Sequence, residues 1–183
     1  MVLLRVDRAW KLYQATGEQV PALQDVTFAL EPGTCTALVG RSGCGKSTLL
    51  NLCGAMDFPT QGHVYLDGIS TTELKDSELT HLRRTKVGFV FQFFQLLPTL
   101  SAVENVELPL LLAGESRSRR RAQDVLDWVG VAELADRMPH QLSGGQMQRV
   151  AIARAMVHSP KVLLADEPIG NLDSAAAEVV LQL

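Results

Sequence analysis

The stretch Gly40-Arg-Ser-Gly-Cys-Gly-Lys-Ser-Thr48 decides how the rest of the chain is read. It fits the spacing G-x-x-x-x-G-K-[ST], with Gly40, Gly45, Lys46 and Ser47 at the fixed places. The apolar run over 35–39 predicts a buried strand that delivers the chain to a loop. A helix is predicted over 46–56. Gly40, Gly43 and Gly45 free the backbone to turn where side chains would forbid it. Successive N–H groups then face inward and form a concave anion site, with the positive end of the helix dipole behind it. Lys46 adds a point charge for the β- and γ-phosphates of a nucleotide, and the Ser47 hydroxyl is suited to a Mg2+ shell. Arg41, Ser42, Cys44 and Thr48 complete the predicted nucleotide-binding segment. A glycine-rich turn with a chance Lys-Ser is the plainer alternative, but the order strand, loop, helix argues against it.

Composition narrows the field. The chain has 183 residues, 46% of them hydrophobic and 20% charged, as expected of one globular domain or a domain with a subdomain. Net charge is −3, so there is no bulk attraction to nucleic acid or anionic lipid. The three cysteines, Cys35, Cys44 and Cys53, lack metal-ligand spacing, which suggests reduced, cytosolic thiols. Cys44 in the loop reads first as a small residue that fits and second as a reactive thiol. The opening residues read as too short for the apolar core of a signal peptide and no run approaches roughly 18–20 apolar residues, so membrane contact is expected only through a partner.

Hydrophobic alternation predicts strands over 2–6 and 24–30, with a turn at Glu31-Pro-Gly33. A short strand over 63–67 should close on a hairpin turn at Asp67-Gly68. Asp76 or Ser77 can cap a helix reaching about Arg84. Residues 86–91 read as a core strand ending at Gln92. From there to residue 158 the pattern is helices and loops. Ser101-Ala-Val-Glu104 is a capping box, Pro109 should kink or end the helix it opens, and Ala122, Val125, Leu126 and Val129 lie on one helical face. The arginines at 117 and 119–121 read as a solvated helix face. Strand pattern returns over 162–165.

That last strand, Val162-Leu-Leu-Ala, runs into Asp166-Glu167. By itself this is equally an acidic turn or a site. Below a phosphate loop, Asp166 is suited to Mg2+ and Glu167 to activating a water as general base. The second informative string is Gln141-Leu-Ser-Gly-Gly-Gln-Met-Gln-Arg-Val-Ala-Ile-Ala-Arg-Ala155. Ser143, Gly144 and Gly145 open a helix over about 146–157 and make a second anion site. A serine cap with a glycine-rich entry would account for the three residues alone, but not for the full string.

Leu142-Ser-Gly-Gly-Gln146, with the loop at 40–48 before it and the acidic strand after it, resembles the ATPase subunit of ATP-binding cassette (ABC) transporters, over essentially the whole chain. The resemblance implies an α/β fold: a P-loop NTPase, RecA-like parallel core, an N-terminal antiparallel β subdomain and an inserted α-helical subdomain. It implies one ABC ATPase domain over 1–183, with the core and β subdomain at 1–92 and 159–183 and the helical subdomain at 93–158. Tyr13 matches the aromatic that stacks on adenine. Gln92 matches the glutamine that touches Mg2+ and the attacking water, so Glu167, Gln92 and Lys46 form the expected catalytic set and Ser47, Gln92 and Asp166 the metal set. Asn171, Leu172 and Asp173 match the D-loop at the subunit interface. ATP and Mg2+ are the implied cofactors. The implied partners are an integral-membrane permease and a head-to-tail homodimer in which 142–146 acts on the other subunit's ATP; no nucleic acid is expected. The expected location is the cytoplasmic side of the inner or plasma membrane, peripheral through the permease.

Within the family, Val87-Gly-Phe-Val-Phe-Gln92, Leu96-Leu-Pro98, Glu104-Asn-Val106 and Gly170-Asn-Leu-Asp-Ser174 resemble the lipoprotein-release and macrolide-export branch. Met147, Ile169 and Gln95 depart from its usual residues. Family members continue past the D-loop to a histidine at the γ-phosphate. His63, His81, His140 and His158 all precede Asp166, so the sequence reads as C-terminally incomplete. Two rivals follow: a catalytically impaired nucleotide-binding remnant, and a DNA-repair or chromosome-type ATPase. The second conflicts with the lack of sustained heptads between Lys46 and Ser143.

Overall fold

The computed structural model describes residues 2–15 and 17–181, and the chain divides into two compact units, 1–83 and 84–183. The first is built on an antiparallel sheet. Strands β1 (Leu4–Ala15), β2 (Glu18–Leu30), β3 (Gln61–Leu66) and β4 (Ile69–Ser70) lie in the order β2-β1-β3-β4. Leu4 pairs with Leu30 on one side and Leu66 on the other; Val6 pairs with Phe28 and Val64. Leu4, Val6, Ala9, Val64 and Leu66 are buried, each larger side chain contributing about 1.5–3 kcal/mol of apolar burial. Helix α1 (Lys46–Cys53) adds Leu49, Leu52 and Cys53 to the buried set, and α2 (Asp76–Lys86) adds Leu79 and Leu82. Burial pushes the Cys53 thiol up to about 12, which leaves it unreactive.

β1 and β2 run well beyond the lengths that alternation predicts. The register slips between Val6 and Ala9 and again near Lys11, and Arg8 and Asp25 take left-handed φ values of 46° and 49°. Such bulges add residues to one strand and break the period of two on which the sequence pattern depends. The Asp67-Gly68 turn is as expected, with φ of 53° and 78°, the pair of left-handed residues that a tight hairpin requires. Helix α2 begins one residue early: Glu78 accepts a hydrogen bond from the Lys75 N–H at 2.9 Å, so Lys75, not Asp76 or Ser77, stands at the cap.

The strand expected at 35–39 is absent. Residues 31–40 are exposed, and Val39 is 94% exposed. An extended apolar segment becomes a strand only when its N–H and C=O groups enter a ladder, and among the described residues none pairs with it.

The second unit holds a parallel pair, β5 (Val87–Val90) and β6 (Val162–Ala165), matched from Val87↔Val162 to Val90↔Ala165. Helices α3 (Ala102–Leu112), α4 (Ser118–Trp128) and α5 (Gly144–Met156) lie between them in sequence, and α6 (Ser174–Leu181) follows. Val103, Val106 and Leu110 of α3, Ala122 and Leu126 of α4, and Val150 and Ala153 of α5 form one core with Val90. A Cβ on Gly88 would overlap the Ala155 carbonyl oxygen, so glycine is what lets β5 approach the end of α5. The Ser101–Glu104 capping box forms as predicted, with the Ser101 N–H donating to the Glu104 carboxylate at 2.8 Å. Pro109 neither ends nor divides α3. It stands in the last turn, and the helix stops three residues later, before Gly114 with φ 74°. Asn105 is fully buried. Its amide nitrogen donates to Leu97, Leu100 and Ser101 carbonyls, and its oxygen accepts the Leu97 N–H at 2.8 Å.

β6 departs from the fully buried strand that its apolar run suggests. Val162 and Leu164 are buried, while Leu163 is 45% exposed. A strand in a two-stranded sheet with helices against one face buries only alternate residues.

Candidate functional site

Of the predicted site residues, Tyr13 and the loop 40–48 belong to the first unit. Gln92, 142–146, Asp166, Glu167 and 171–173 belong to the second.

In the loop, Gly43 and Gly45 adopt φ of 77° and 95°, a region costly to residues with a Cβ. At Gly45 a Cβ would also overlap the Ala22 carbonyl oxygen. Gly45 is the residue before α1, and no side chain caps the helix there. The helix therefore presents its first N–H groups and positive dipole end to an exposed loop. The Lys46 ammonium bends back over that loop and donates to the carbonyls of Gly40 at 3.1 Å and Arg41 at 3.3 Å. A cation held across a ring of backbone, with hydrogen-bond donors below it, is suited to a polyphosphate. Arg41, Ser42 and Cys44 line the exposed rim, and Ser47 and Thr48 open the helix.

Tyr13 projects from the polar end of β1 and is 42% exposed. Its hydroxyl donates to Asp57 at 3.0 Å. Asp57 opens a segment, 57–62, that Pro59 and Gly62 mark only as loop, and its contact with Tyr13 spans 44 positions. No periodic signal marks it.

In the second unit, four predicted features lie in one neighbourhood. Gln92 follows β5, and its carbonyl accepts the Asn171 side-chain N–H at 2.8 Å. The Asp166 N–H donates to the Val90 carbonyl at 2.9 Å, which extends the β5–β6 ladder by one residue and fixes the carboxylate at its end. Glu167 is exposed with φ 47°, and its carbonyl closes a turn by accepting the Gly170 N–H at 2.9 Å. A left-handed glutamate is backbone strain of the kind that concentrates at functional positions. Asp173 accepts the Ala176 N–H at the start of α6. Gly144 and Gly145 open α5 against this segment: a Cβ on Gly145 would come within 2.8 Å of the Ala176 Cβ. Leu142 is buried beside them. Ser143 caps α5 reciprocally: its N–H donates to the Gln146 side chain at 2.8 Å, and its hydroxyl accepts the Gln146 N–H at 3.4 Å. The helix starts two residues before the predicted 146.

Arg154, one of the arginines of the quoted string, was not singled out by sequence. Its guanidinium donates to the carbonyls of Phe94 at 2.9 Å and Gln95 at 2.6 Å. Both residues are left-handed, with φ of 58° and 53°, and Arg154 thus holds the loop that follows Gln92.

The pattern of the ABC transporter family matches residues 23–170. The chain is 47% identical to the ABC transporter ATP-binding protein MJ0796 of Methanocaldococcus jannaschii, over 99% of this chain and 80% of that one. It is 48% identical to the lipoprotein-releasing system ATP-binding protein LolD of Idiomarina loihiensis, again over 99% and 80%. Against the macrolide export ATP-binding/permease protein MacB of Syntrophobacter fumaroxidans it is 46% identical over 100% of this chain and 26% of that one. The solved dimer of MJ0796 in a post-hydrolysis state, bound to ADP and phosphate, superposes with a TM-score of 0.91 at 44% identity, over 98% of this chain and 80% of that one. The loop at 40–48 and the helix capped by Ser143 therefore sit in a fold shared with that solved cassette, and the chain belongs to the ABC transporter family as an ATP-binding, ATP-hydrolysing cassette subunit.

Proposed function

We propose that this subunit powers a membrane permease of the lipoprotein-release or macrolide-export kind. The similarity to LolD and MacB supports that branch. Among the described residues no helix is long and apolar enough to cross a membrane. By its likeness to the ATP-binding subunit LolD, the subunit would work from the cytoplasmic face, held there by the permease. It would act as a head-to-tail homodimer, each subunit's 142–146 segment completing the other's ATP site; the dimeric state of the solved relative supports this.

The loop carries the reading: left-handed Gly43 and Gly45 and the ammonium of Lys46 fit a triphosphate. For the metal, the Ser47 hydroxyl, the Gln92 amide and the Asp166 carboxylate are all hard oxygen donors, which fits Mg2+. Bound Mg2+ would neutralise charge on the phosphate oxygens. Lys46 would hold the β- and γ-phosphates. Gln92 would orient the attacking water, and Glu167 would accept its proton as the water oxygen bonds to the γ-phosphorus and ADP leaves with the bridging oxygen.

Nucleotide affinity and steady-state ATP turnover test this together. Lys46→Ala should abolish both. Glu167→Gln should keep ATP affinity and lose turnover by about 100-fold or more, within the range of general-base catalysis. Normal turnover by Glu167→Gln would remove that residue from the base role, and unchanged affinity in Lys46→Ala would overturn the phosphate site.

A further inference from the structure

The face of the first unit around Tyr13 holds more than an exposed aromatic ring. Tyr13 is 42% exposed on the polar end of β1, so packing alone holds the ring loosely. Polar contacts fix it. Asp57 accepts the Tyr13 hydroxyl on one carboxylate oxygen. On the other it accepts the Lys11 ammonium at 2.5 Å and the Phe58 N–H at 2.7 Å. Lys11 also donates to the Phe58 carbonyl at 2.9 Å, and its nitrogen lies 5.1 Å from the centre of the Tyr13 ring. The Lys11 side chain is only 12% exposed. A mostly desolvated lysine satisfied by a carboxylate, a carbonyl and a ring face is a fixed part of the structure, unlike a surface ion pair. The Lys11 and Tyr13 side chains both reach Asp57, so they lie on one face of the sheet.

Asp57 is also tied to the phosphate helix. The turn that leaves α1 is closed by the Met56 N–H and the Asp57 N–H, which donate to the Asn51 carbonyl at 2.9 and 3.3 Å. One end of α1 thus meets the phosphate loop, and the chain leaving its other end holds the aromatic ring.

We propose that Asp57, braced by Lys11, is a positioning residue that fixes the Tyr13 ring as the platform for the nucleotide base, which presupposes the stacking role of Tyr13 given above. Lys11 lies against one part of the ring system, and the open remainder is left for a base. Stacking on a ring face recognises the aromatic character of a base and not its hydrogen-bonding pattern. Adenine and guanine nucleotides should gain from it alike, and a polyphosphate without a base should gain nothing.

Calorimetric titration with ATP, GTP and inorganic tripolyphosphate tests this on the whole chain. Tyr13→Phe keeps the ring and loses only the hydroxyl; Asp57→Ala loses the acceptor. Each should weaken ATP and GTP by about three- to tenfold, the scale of one hydrogen bond, and leave tripolyphosphate unchanged. The double variant should bind ATP about as well as the weaker single variant, because both changes remove one contact. Tyr13→Ala should weaken ATP by roughly tenfold or more. Equal loss of tripolyphosphate binding in Asp57→Ala would make Asp57 a general structural residue and overturn the proposal. So would full additivity of the two substitutions, or unchanged ATP affinity in both. Unchanged ATP affinity in Tyr13→Ala would instead overturn the stacking role itself, and the proposal with it. Tyr13→Phe changes one exposed atom and folds regardless, so failure of Asp57→Ala to fold leaves the tripolyphosphate comparison decisive.

Discussion

At Gly45 and at Ser143 the chain starts a helix among glycines, yet the two starts are finished differently. Before α1, Gly45 is left-handed and no side chain caps the helix. Before α5, the Ser143 hydroxyl and the Gln146 amide cap each other's N–H groups. The first start is left open for a ligand. The second is already satisfied, and a phosphate arriving there must replace or share a hydrogen bond that the helix makes for itself. The difference teaches that two glycine-flanked helix starts can differ in what they leave free: the first N–H groups of α1 meet no side-chain cap, and at α5 the Ser143 hydroxyl already engages one.

The largest break in this contrast comes from Gly45→Ala. It forces a Cβ into φ 95°, at a cost of about 1–2 kcal/mol from the backbone alone, and into the Ala22 carbonyl besides. ATP affinity should fall by tenfold or more in calorimetry, while the unfolding of residues 84–183 measured by hydrogen exchange stays unchanged. Next comes Ser143→Ala. Loss of the cap should destabilise α5 by about 1 kcal/mol in denaturant unfolding. ATP affinity of the isolated subunit should not move; if it does, the second start is not independent of the first.

The smallest effect sharpens the picture at the far end of α5. Burial holds the His158 imidazole below its usual range, and the hydrogen bond from its Nε2–H to the Val87 carbonyl at 3.0 Å is not enough to reverse this. A depressed folded pKa means that the unfolded chain binds the proton first. Stability is therefore complete above the ordinary histidine range and falls as pH drops below it, until the folded-state group itself titrates. His158→Gln should flatten that part of a stability–pH curve. An unchanged curve would place the acid sensitivity elsewhere.

How much of this was legible in sequence depended on the range of the interactions. The Ser101–Glu104 box, the Asp67-Gly68 turn and the start of α1 are set by neighbours within four residues, and each appears where its local pattern puts it, whereas Ser143 proves to be the helix cap that the full string argued against. Strand β1 was read short because its bulges near Arg8 spoil the alternation. Residues 35–39 have strand composition but no ladder partner among the described residues, and composition carries no information on partners. Asp57 and Arg154 act across 44 and about 60 positions, by contacts to a hydroxyl and to main-chain carbonyls. Main-chain carbonyls look alike in every residue, so a guanidinium that seeks them leaves no trace in the letters.

Asn105 has a consequence for anyone who would alter the molecule. Its amide bonds residues 97, 100 and 101 at once, so the loop 97–101 is wound on a single buried side chain and its length is set by that winding. An inserted tag or a deleted residue there would unseat all four bonds. The turn at Gly114 and Glu115, exposed at the end of α3, hangs on one half-exposed ion pair, Glu115 with Arg121 at 3.0 Å, so a fluorophore or surface tether at Gly114 would put far less at risk.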